Sequence, residues 1–143
     1  MILYLDTSAL VKLFVHEQSS DTVREAVSGA RLVVTHAIAY VEACAVFARV
    51  THERKADALF ATLRGDLDVQ WKSWEILQAT DLLIRRAADF AGRYRLRGYD
   101  SLHLAAAAAA LDAFGDQVAF HFGVFDDQLR VAARQAGVPL LDT

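Results

Sequence analysis

Short, wholly apolar runs alternate with segments of helical periodicity along this chain. The clearest run is residues 2–5, and the polar residues Asp6, Thr7 and Ser8 that follow it predict the cap of a helix. We expect buried strands at residues 2–5, 32–34, 69–71, 118–125 and 138–141. The clearest strands are continuously apolar rather than alternating, which is typical of a parallel sheet covered on both faces.

The intervals between these runs predict helices. The first should carry Leu10, Leu13 and Phe14, and the others should span residues 20–28, 38–50, 52–64, 79–94, 100–110 and 126–136. The alanine run at 105–110 predicts a tightly packed helix, because Ala favours helix and lets neighbouring backbones approach closely. The glycines expected to act as stops are Gly29, Gly65, Gly98, Gly115 and Gly137.

The order of these elements predicts the fold class. The length of 143 residues, with no linker-like segment, indicates one domain over residues 1–143. Strands that alternate with helices predict an α/β fold, with a central parallel sheet flanked by helices. Because such sheets bind ligands beyond the carboxyl ends of their strands, residues that follow strands are the first candidates for function.

Composition and charge exclude several classes. Apolar residues make up 55% of the chain and charged residues 23%, which excludes disorder and leaves apolar surface for an oligomer interface. The longest uncharged stretches, 32–41 and 101–111, fall short of the about 18 residues of a membrane span, and no secretory signal is visible. With a single cysteine, Cys44, we expect a soluble cytoplasmic protein. The net charge of −3, taken alone, argues mildly against a nucleic-acid partner.

Two aspartates follow predicted strands. Asp6 comes after the first apolar run and Asp126 after the run at 118–125, so both are expected at the carboxyl edge of the sheet. Capping of a helix is the alternative role for each of them. Asp127 follows Asp126 directly, and the pattern leaves open which of the two is functional.

Glu42 is a lone charge in an apolar helix. Its neighbours at helical spacing are Ile38, Ala39, Ala45 and Val46, so no Lys or Arg of this helix can pair with it. Burial of an unpaired carboxylate is costly. We therefore expect a partner from elsewhere in the fold, a metal ion or a distant arginine, unless the side chain faces solvent.

Asp100 begins the alanine-rich helix, where capping and the helix dipole favour a carboxylate. With Asp6, Glu42 and Asp126 it makes four acids that are expected to meet over one sheet edge. Clustered carboxylates repel each other unless a cation neutralises them, and an all-oxygen ligand set suits Mg²⁺ or Mn²⁺. The sequence thus predicts a divalent-metal site, and hydrolysis of a phosphodiester is the natural reaction of such a site.

Four blocks resemble the PIN-domain nucleases, and the whole chain resembles the VapC-type toxins of toxin–antitoxin pairs. The blocks are ILYLDTSALVKL with Asp6, the helix with Glu42, RGYDSLHLAAA with Asp100, and VFDDQL with Asp126. Their order and intervals match the family pattern. Val124 stands where the family commonly has a Thr or Ser.

The resemblance implies a Rossmann-like PIN fold and a Mg²⁺- or Mn²⁺-dependent endoribonuclease that acts on structured RNA such as tRNA or rRNA. It implies that Asp6 and Asp100 are the core metal ligands, and that Glu42 and Asp126 complete the site or position the attacking water. It also implies a homodimer and a VapB-like antitoxin that blocks the acidic site.

Basic residues near the acids are candidates for RNA contacts. We expect the following side chains to hold RNA phosphates: Lys12, Arg93, Arg95 and Arg97. A solvated helix face is the alternative for Arg85 and Arg86. His103 follows Asp100 by three residues and could share a ligand with it, but a packed or solvent-bonded histidine is the preferred interpretation, because hard cations prefer oxygen.

Two other classes remain open. A PIN-like module that has lost catalysis would bind RNA or protein without cleaving it. Receiver domains and metal-dependent phosphatases also place an Asp after a first strand. Dehalogenase-like phosphatases have a second Asp two residues on, where Ser8 stands here, and the paired acid and late Lys of receivers are not found.

Overall fold

The computed structural model describes residues 1–142, and within them the chain forms four strands and seven helices. The strands are β1 (Ile2–Leu5), β2 (Leu32–His36), β3 (Glu75–Leu77) and β4 (Phe120–Gly123). The helices are α1 (Thr7–Val11), α2 (Ser20–Gly29), α3 (Ile38–Glu53), α4 (Leu59–Trp71), α5 (Asp81–Tyr94), α6 (Gly98–Phe114) and α7 (Asp127–Gln135). Thr143, the last residue of the predicted domain, lies outside the described residues.

The four strands pair in parallel in the order β3-β2-β1-β4, which confirms the predicted α/β fold with a central parallel sheet. β1 is wholly apolar because both of its faces are covered. Ile2 and Tyr4 belong to a core cluster with α5, α6 and α7, whereas Leu3 and Leu5 belong to a second cluster with α1, α2, α3 and α4. Helices therefore flank the sheet on both faces.

The alanine run lies in the middle of α6 and is packed as expected. Five of its six side chains are buried, and α6 lies against α5 and the sheet. Small side chains bring these backbones close together, and His103, near the start of α6, contacts Tyr4 of β1.

The predictions for residues 52–71 are wrong. α3 continues to Glu53, and a turn follows it. The next helix, α4, begins at Leu59 rather than at residue 52, and it continues through residues 69–71, where a strand was predicted. Gly65 lies inside α4 with open space beside it, so it is not a stop. A single helix buries the apolar side chains that recur here every three or four residues, which are Phe60, Leu63, Leu67 and Trp71.

Several boundaries differ from the prediction. α1 ends at Val11, so Leu13 and Phe14 lie beyond it, and α6 begins at Gly98, which is therefore not a stop. β3 follows α4 at a place where no strand was expected, and β4 covers only part of 118–125. The predicted strand at 138–141 is reduced to one bridge, between Phe122 and Leu140, since Pro139 has no N–H for a ladder.

Other predicted helix ends are confirmed. Gly29 is the last residue of α2, Gly115 follows α6, and Gly137 follows α7 with a φ of 76°, which favours glycine. Within residues 1–142, no helix is both long enough and apolar enough to cross a membrane.

Candidate functional site

Hydrogen bonds join the carboxyl edge of the sheet to α3 and α6, and all four predicted acids lie there. Asp6 follows β1 directly, and its backbone N–H donates to the carbonyl of Gly123 at the end of β4 (3.1 Å). Asp126 follows β4 after two residues, Asp100 lies in the first turn of α6, and Glu42 lies near the start of α3. The predicted placement of Asp6 and Asp126 after strands is therefore confirmed.

Asp6 is 4% exposed and caps α1. Its Oδ1 accepts hydrogen bonds from the Ser8 hydroxyl (2.7 Å) and the Ala9 N–H (2.9 Å). Burial raises the pKa of Asp6 to about 6; the charge of Asp100 adds to this rise, whereas His103 and the two hydrogen bonds oppose it. Capping uses only Oδ1, so Oδ2 makes no hydrogen bond within residues 1–142.

The Ser8 hydroxyl connects the segment after β1 to the segment after β4. While it donates to Asp6, it also accepts a hydrogen bond from the backbone N–H of Phe125 (3.1 Å), just before Asp126. Val124, which stands two residues before Asp126 and has no hydroxyl group, is buried in the core. In this chain the hydroxyl near the fourth acid therefore comes from Ser8.

Glu42 has a partner from a distant helix, as expected. The partner is a histidine, and not the metal ion or arginine that the sequence suggested. Glu42 Oε1 accepts hydrogen bonds from Nε2 of His103 (2.8 Å) and from the Thr7 hydroxyl (2.7 Å). Burial works to raise the pKa of Glu42, but the contacts with His103 and Thr7 outweigh it and hold this pKa below its usual value. The carboxylate is therefore charged and fixed at one oxygen.

Asp100 and Asp126 face the same guanidinium group. Arg97 Nε donates to Asp100 Oδ2 (3.2 Å), and Arg97 Nη2 lies 3.9 Å from Asp126 Oδ1. Asp126 also caps α7, through a hydrogen bond from the Leu129 N–H to its Oδ2 (2.9 Å). Asp100 is not the cap of α6, because Arg97 occupies that position; a carboxylate in the first turn is still favoured by the helix dipole.

Asp126 and Asp127 occupy different surroundings, and which of them is functional stays a prediction. Asp126 faces Arg97 and through it Asp100, whereas Asp127 is exposed and lines a separate polar cleft with Lys12 and Arg130. Asp126 is thus the aspartate of this pair that shares the edge with the other acids.

The basic residues predicted to bind RNA divide into two groups. Lys12 is engaged within the fold: its Nζ donates to Glu17 (3.1 Å) and to the Gln18 carbonyl (2.9 Å), and it lies over the Phe125 ring. Arg93 and Arg95 are exposed and make no side-chain hydrogen bond or ion pair with any residue up to 142. RNA binding by any of them stays a prediction.

A second group of residues lies at this edge, and the sequence did not predict that its members contact each other. Tyr4, Thr7 and His103 form a hydrogen-bonded group around Glu42, with Tyr4 and His103 buried. His36, at the end of β2, is also buried; its Nδ1 accepts from the Ile38 N–H (2.9 Å), and its Nε2 has no partner among residues 1–142. The one signal in the sequence was the spacing of His103 from Asp100.

The four acids are alike in the hydrogen bonding of their carboxylate oxygens. Each has one oxygen engaged by a hydrogen bond, and the other makes none with any described residue. Residues 1–142 contain no group of three or more His, Cys, Asp or Glu side chains already close enough to hold a metal ion together. The oxygens without a hydrogen bond are hard donors of the kind that Mg²⁺ and Mn²⁺ bind, and their use as ligands stays a prediction.

An open cavity of about 650 Å³ lies beside the acids, between α5 and the start of α6. Glu42 and Asp100 line it together with Arg97 and Tyr99, and the remaining walls are mainly alanine, isoleucine and leucine side chains. Tyr99 is 59% exposed. The acidic edge therefore borders an apolar surface that is open to solvent.

Comparison with known proteins connects this geometry to a family. The family model described as PIN domain matches residues 3–114. The chain is 29% identical over 137 residues to Ribonuclease VapC45 and to Ribonuclease VapC49, each from a strain of Mycobacterium tuberculosis. The aligned region covers 95% of this chain and 92% of each relative.

Two solved structures are similar in fold. Mycobacterium tuberculosis VapC20, described as a sarcin-ricin loop cleaving toxin, has a TM-score of 0.64 at 18% identity, covering 91% of this chain and 94% of that one. A toxin–antitoxin complex from Klebsiella pneumoniae has a TM-score of 0.61 at 17% identity, covering 87% and 86%.

Proposed function

Because this chain belongs to the PIN-domain family, we propose that it is a divalent-metal-dependent endoribonuclease and the toxin of a toxin–antitoxin pair. The observation that carries the proposal is the set of four carboxylates at one sheet edge, each with one oxygen that accepts no hydrogen bond from a described residue. The ribonuclease names of the two relatives support it.

Asp6 and Asp100 would hold the cation, with Glu42 and Asp126 completing the site or positioning the attacking water. Mg²⁺ is the proposed ion, and Mn²⁺ is the expected substitute for it. A bound cation of this kind supplies a Lewis acid that activates water and stabilises charge on the phosphoryl group. The protein holds the carboxylates in place: Ser8 and Ala9 fix Asp6, and Thr7 and His103 fix Glu42.

RNA is the proposed substrate, and charge is compatible with it. The four acids account for more than the whole net charge of −3, so the rest of the chain is slightly positive. Arg93 and Arg95 are exposed cations just before α6, and we assign them to RNA phosphates together with Arg97. The Lys12 ammonium group is bonded to Glu17 and Gln18. We therefore assign Lys12 to holding the end of α1 in place rather than to a direct phosphate contact. Structured RNA, tRNA or rRNA, is the proposed class.

A VapB-like antitoxin is the proposed protein partner, and a second copy of the chain the proposed dimer partner. The apolar cavity beside Asp100 would bury part of an antitoxin segment, which would cover the acids at the same time. Exposed Leu82 and Ile84 on α5 would supply apolar surface for association. Since the proposed RNA substrates occur in the cytoplasm, the proposal places the protein there.

The proposal is tested by RNA cleavage with the native chain, Asp6→Asn and Asp100→Asn, each with Mg²⁺, with Mn²⁺ and with excess chelator. We expect cleavage by the native chain in either metal, and loss by at least about 10²-fold in the two variants, because each removes a charged ligand. Asp127→Asn is the matched control, as its carboxylate faces away from the site. Full cleavage in chelator, or equal cleavage by all four proteins, would overturn the proposal.

A further inference from the structure

We infer that His103 is a positioning residue that turns the carboxylate of Glu42 so that Oε2 is offered to a bound cation. The inference rests on the proposed function, and it assigns a role to a side chain that touches neither metal nor RNA. Its basis is the hydrogen-bonded group made by Tyr4, Thr7, Glu42 and His103.

The donor in the contact between His103 and Glu42 follows from chemistry. A carboxylate has no hydrogen to give, so the hydrogen in this 2.8 Å contact belongs to Nε2 of His103. This holds for the neutral and for the charged imidazole. The Thr7 hydroxyl donates to the same Oε1 (2.7 Å), and its oxygen lies 3.2 Å from His103 Nε2. Two donors therefore converge on Oε1, and neither reaches Oε2.

Tyr4 fixes the other side of the ring. Its hydroxyl lies 2.9 Å from His103 Nδ1, so the ring is held at both nitrogens. Burial raises the pKa of Tyr4 well above its usual value, and the charges of Asp6 and Glu42 add to the rise, so the phenol keeps its proton. When the imidazole is neutral, Tyr4 donates to Nδ1 and thereby places the ring proton on Nε2, facing Glu42.

The position of His103 excludes a role as a metal ligand. Its side chain is 3% exposed, and both ring nitrogens are already bonded to protein atoms. Glu42, by contrast, is 21% exposed and lines the open cavity. The buried histidine thus limits the rotation of a partly exposed carboxylate, which is how outer groups commonly orient metal ligands.

The test compares the native chain with His103→Leu, His103→Gln and Tyr4→Phe. Mn²⁺ affinity is measured by titration calorimetry, and RNA cleavage is measured separately. We expect His103→Leu to weaken Mn²⁺ binding by about 10- to 100-fold while the protein remains folded by circular dichroism. His103→Gln keeps a donor near the position of Nε2 and should restore most of the affinity; Tyr4→Phe should have a smaller effect. His52→Leu, at an exposed histidine on α3, is the control and should not change the affinity.

A second readout does not depend on metal. In the metal-free native chain, ¹⁵N NMR should show a proton on Nε2 of His103, and Tyr4→Phe should allow the other neutral tautomer to appear. Equal Mn²⁺ affinity of native and His103→Leu proteins, or a ring with Nε2 unprotonated, would overturn the inference alone. A native chain that neither binds Mn²⁺ nor cleaves RNA would overturn the proposed function and the inference with it.

Discussion

Arg97 donates a hydrogen bond to Asp100 across the first turn of α6, with 3.2 Å between Nε and Oδ2. The same guanidinium group lies 3.9 Å from Asp126, so one exposed cation faces two of the four acids. It reduces their mutual repulsion in the free protein. A divalent cation at this edge would compete with it for the same carboxylates.

Replacing Arg97 by Gln is expected to affect metal and RNA in opposite directions. Mn²⁺ should bind about 2- to 5-fold more tightly, because an exposed ion pair of modest strength no longer competes for Asp100. RNA should bind more weakly in chelator, because a cation near the site is lost. Calorimetry with Mn²⁺ and a filter-binding assay measure the two effects. Weaker Mn²⁺ binding in the variant would contradict the proposed competition between Arg97 and the cation for Asp100.

Asp6→Asn is expected to stabilise the metal-free protein at high pH. Because the folded pKa of Asp6 is about 6 against 3.8 for the free side chain, the folded state keeps this proton longer than the unfolded chain. Its contribution to stability is therefore present at low pH and is lost as the pH rises through about 6. Asparagine cannot ionise and still caps α1 through its side-chain oxygen.

The expected gain for Asp6→Asn at pH 8 is up to roughly 3 kcal/mol in the free energy of unfolding, and it should almost vanish near pH 4. Urea unfolding in chelator at both pH values measures it. Asp127→Asn, whose carboxylate is exposed, is the matched control. A variant that is less stable than the native chain at pH 8 would contradict the burial of an ionised Asp6.

Ser8→Ala is expected to destabilise the fold by about 1 to 3 kcal/mol. The change removes a donor from buried Asp6 and leaves the Phe125 N–H without its acceptor. Urea unfolding provides the measurement. Ser73→Ala is the comparison, because the Ser73 hydroxyl bonds a carbonyl at the surface and its loss should cost within about 0.5 kcal/mol. Equal costs for the two changes would show that the contact between the start of α1 and the segment after β4 contributes no more to stability than a surface hydrogen bond.

The double change Arg93→Ala and Arg95→Ala is expected to weaken RNA binding and its salt dependence. Two lost phosphate contacts should lower the slope of log affinity against log salt by roughly 1 to 2. Binding is measured in chelator to prevent cleavage. Arg85→Ala with Arg86→Ala is the matched control on α5, because these side chains are paired with Asp81 and Asp112. The assignment fails if both double variants keep the native slope.

Patterns among neighbouring residues were sufficient to predict most of the strands and helices and the positions of Asp6 and Asp126. Asp6 and Asp126 follow apolar strands and cap helices, and both relations involve residues within a few positions of each other. The same reasoning failed at Trp71, where apolar and aromatic residues suggested a strand. The helix there is stabilised by packing of Leu67 and its neighbours on distant core residues, which no local pattern reports.

The sequence by itself determined the α/β fold class and the place of Asp6 at the carboxyl edge, because strand ends and helix starts are set by neighbouring residues. Only the tertiary structure decided which oxygen of each acid accepts a hydrogen bond and which does not. Glu42 meets His103 across 61 positions, and Ser8 meets Phe125 across 117. Such partners are chosen by how the helices pack on the sheet, since a hydrogen bond requires atoms within about 3 Å in a particular direction.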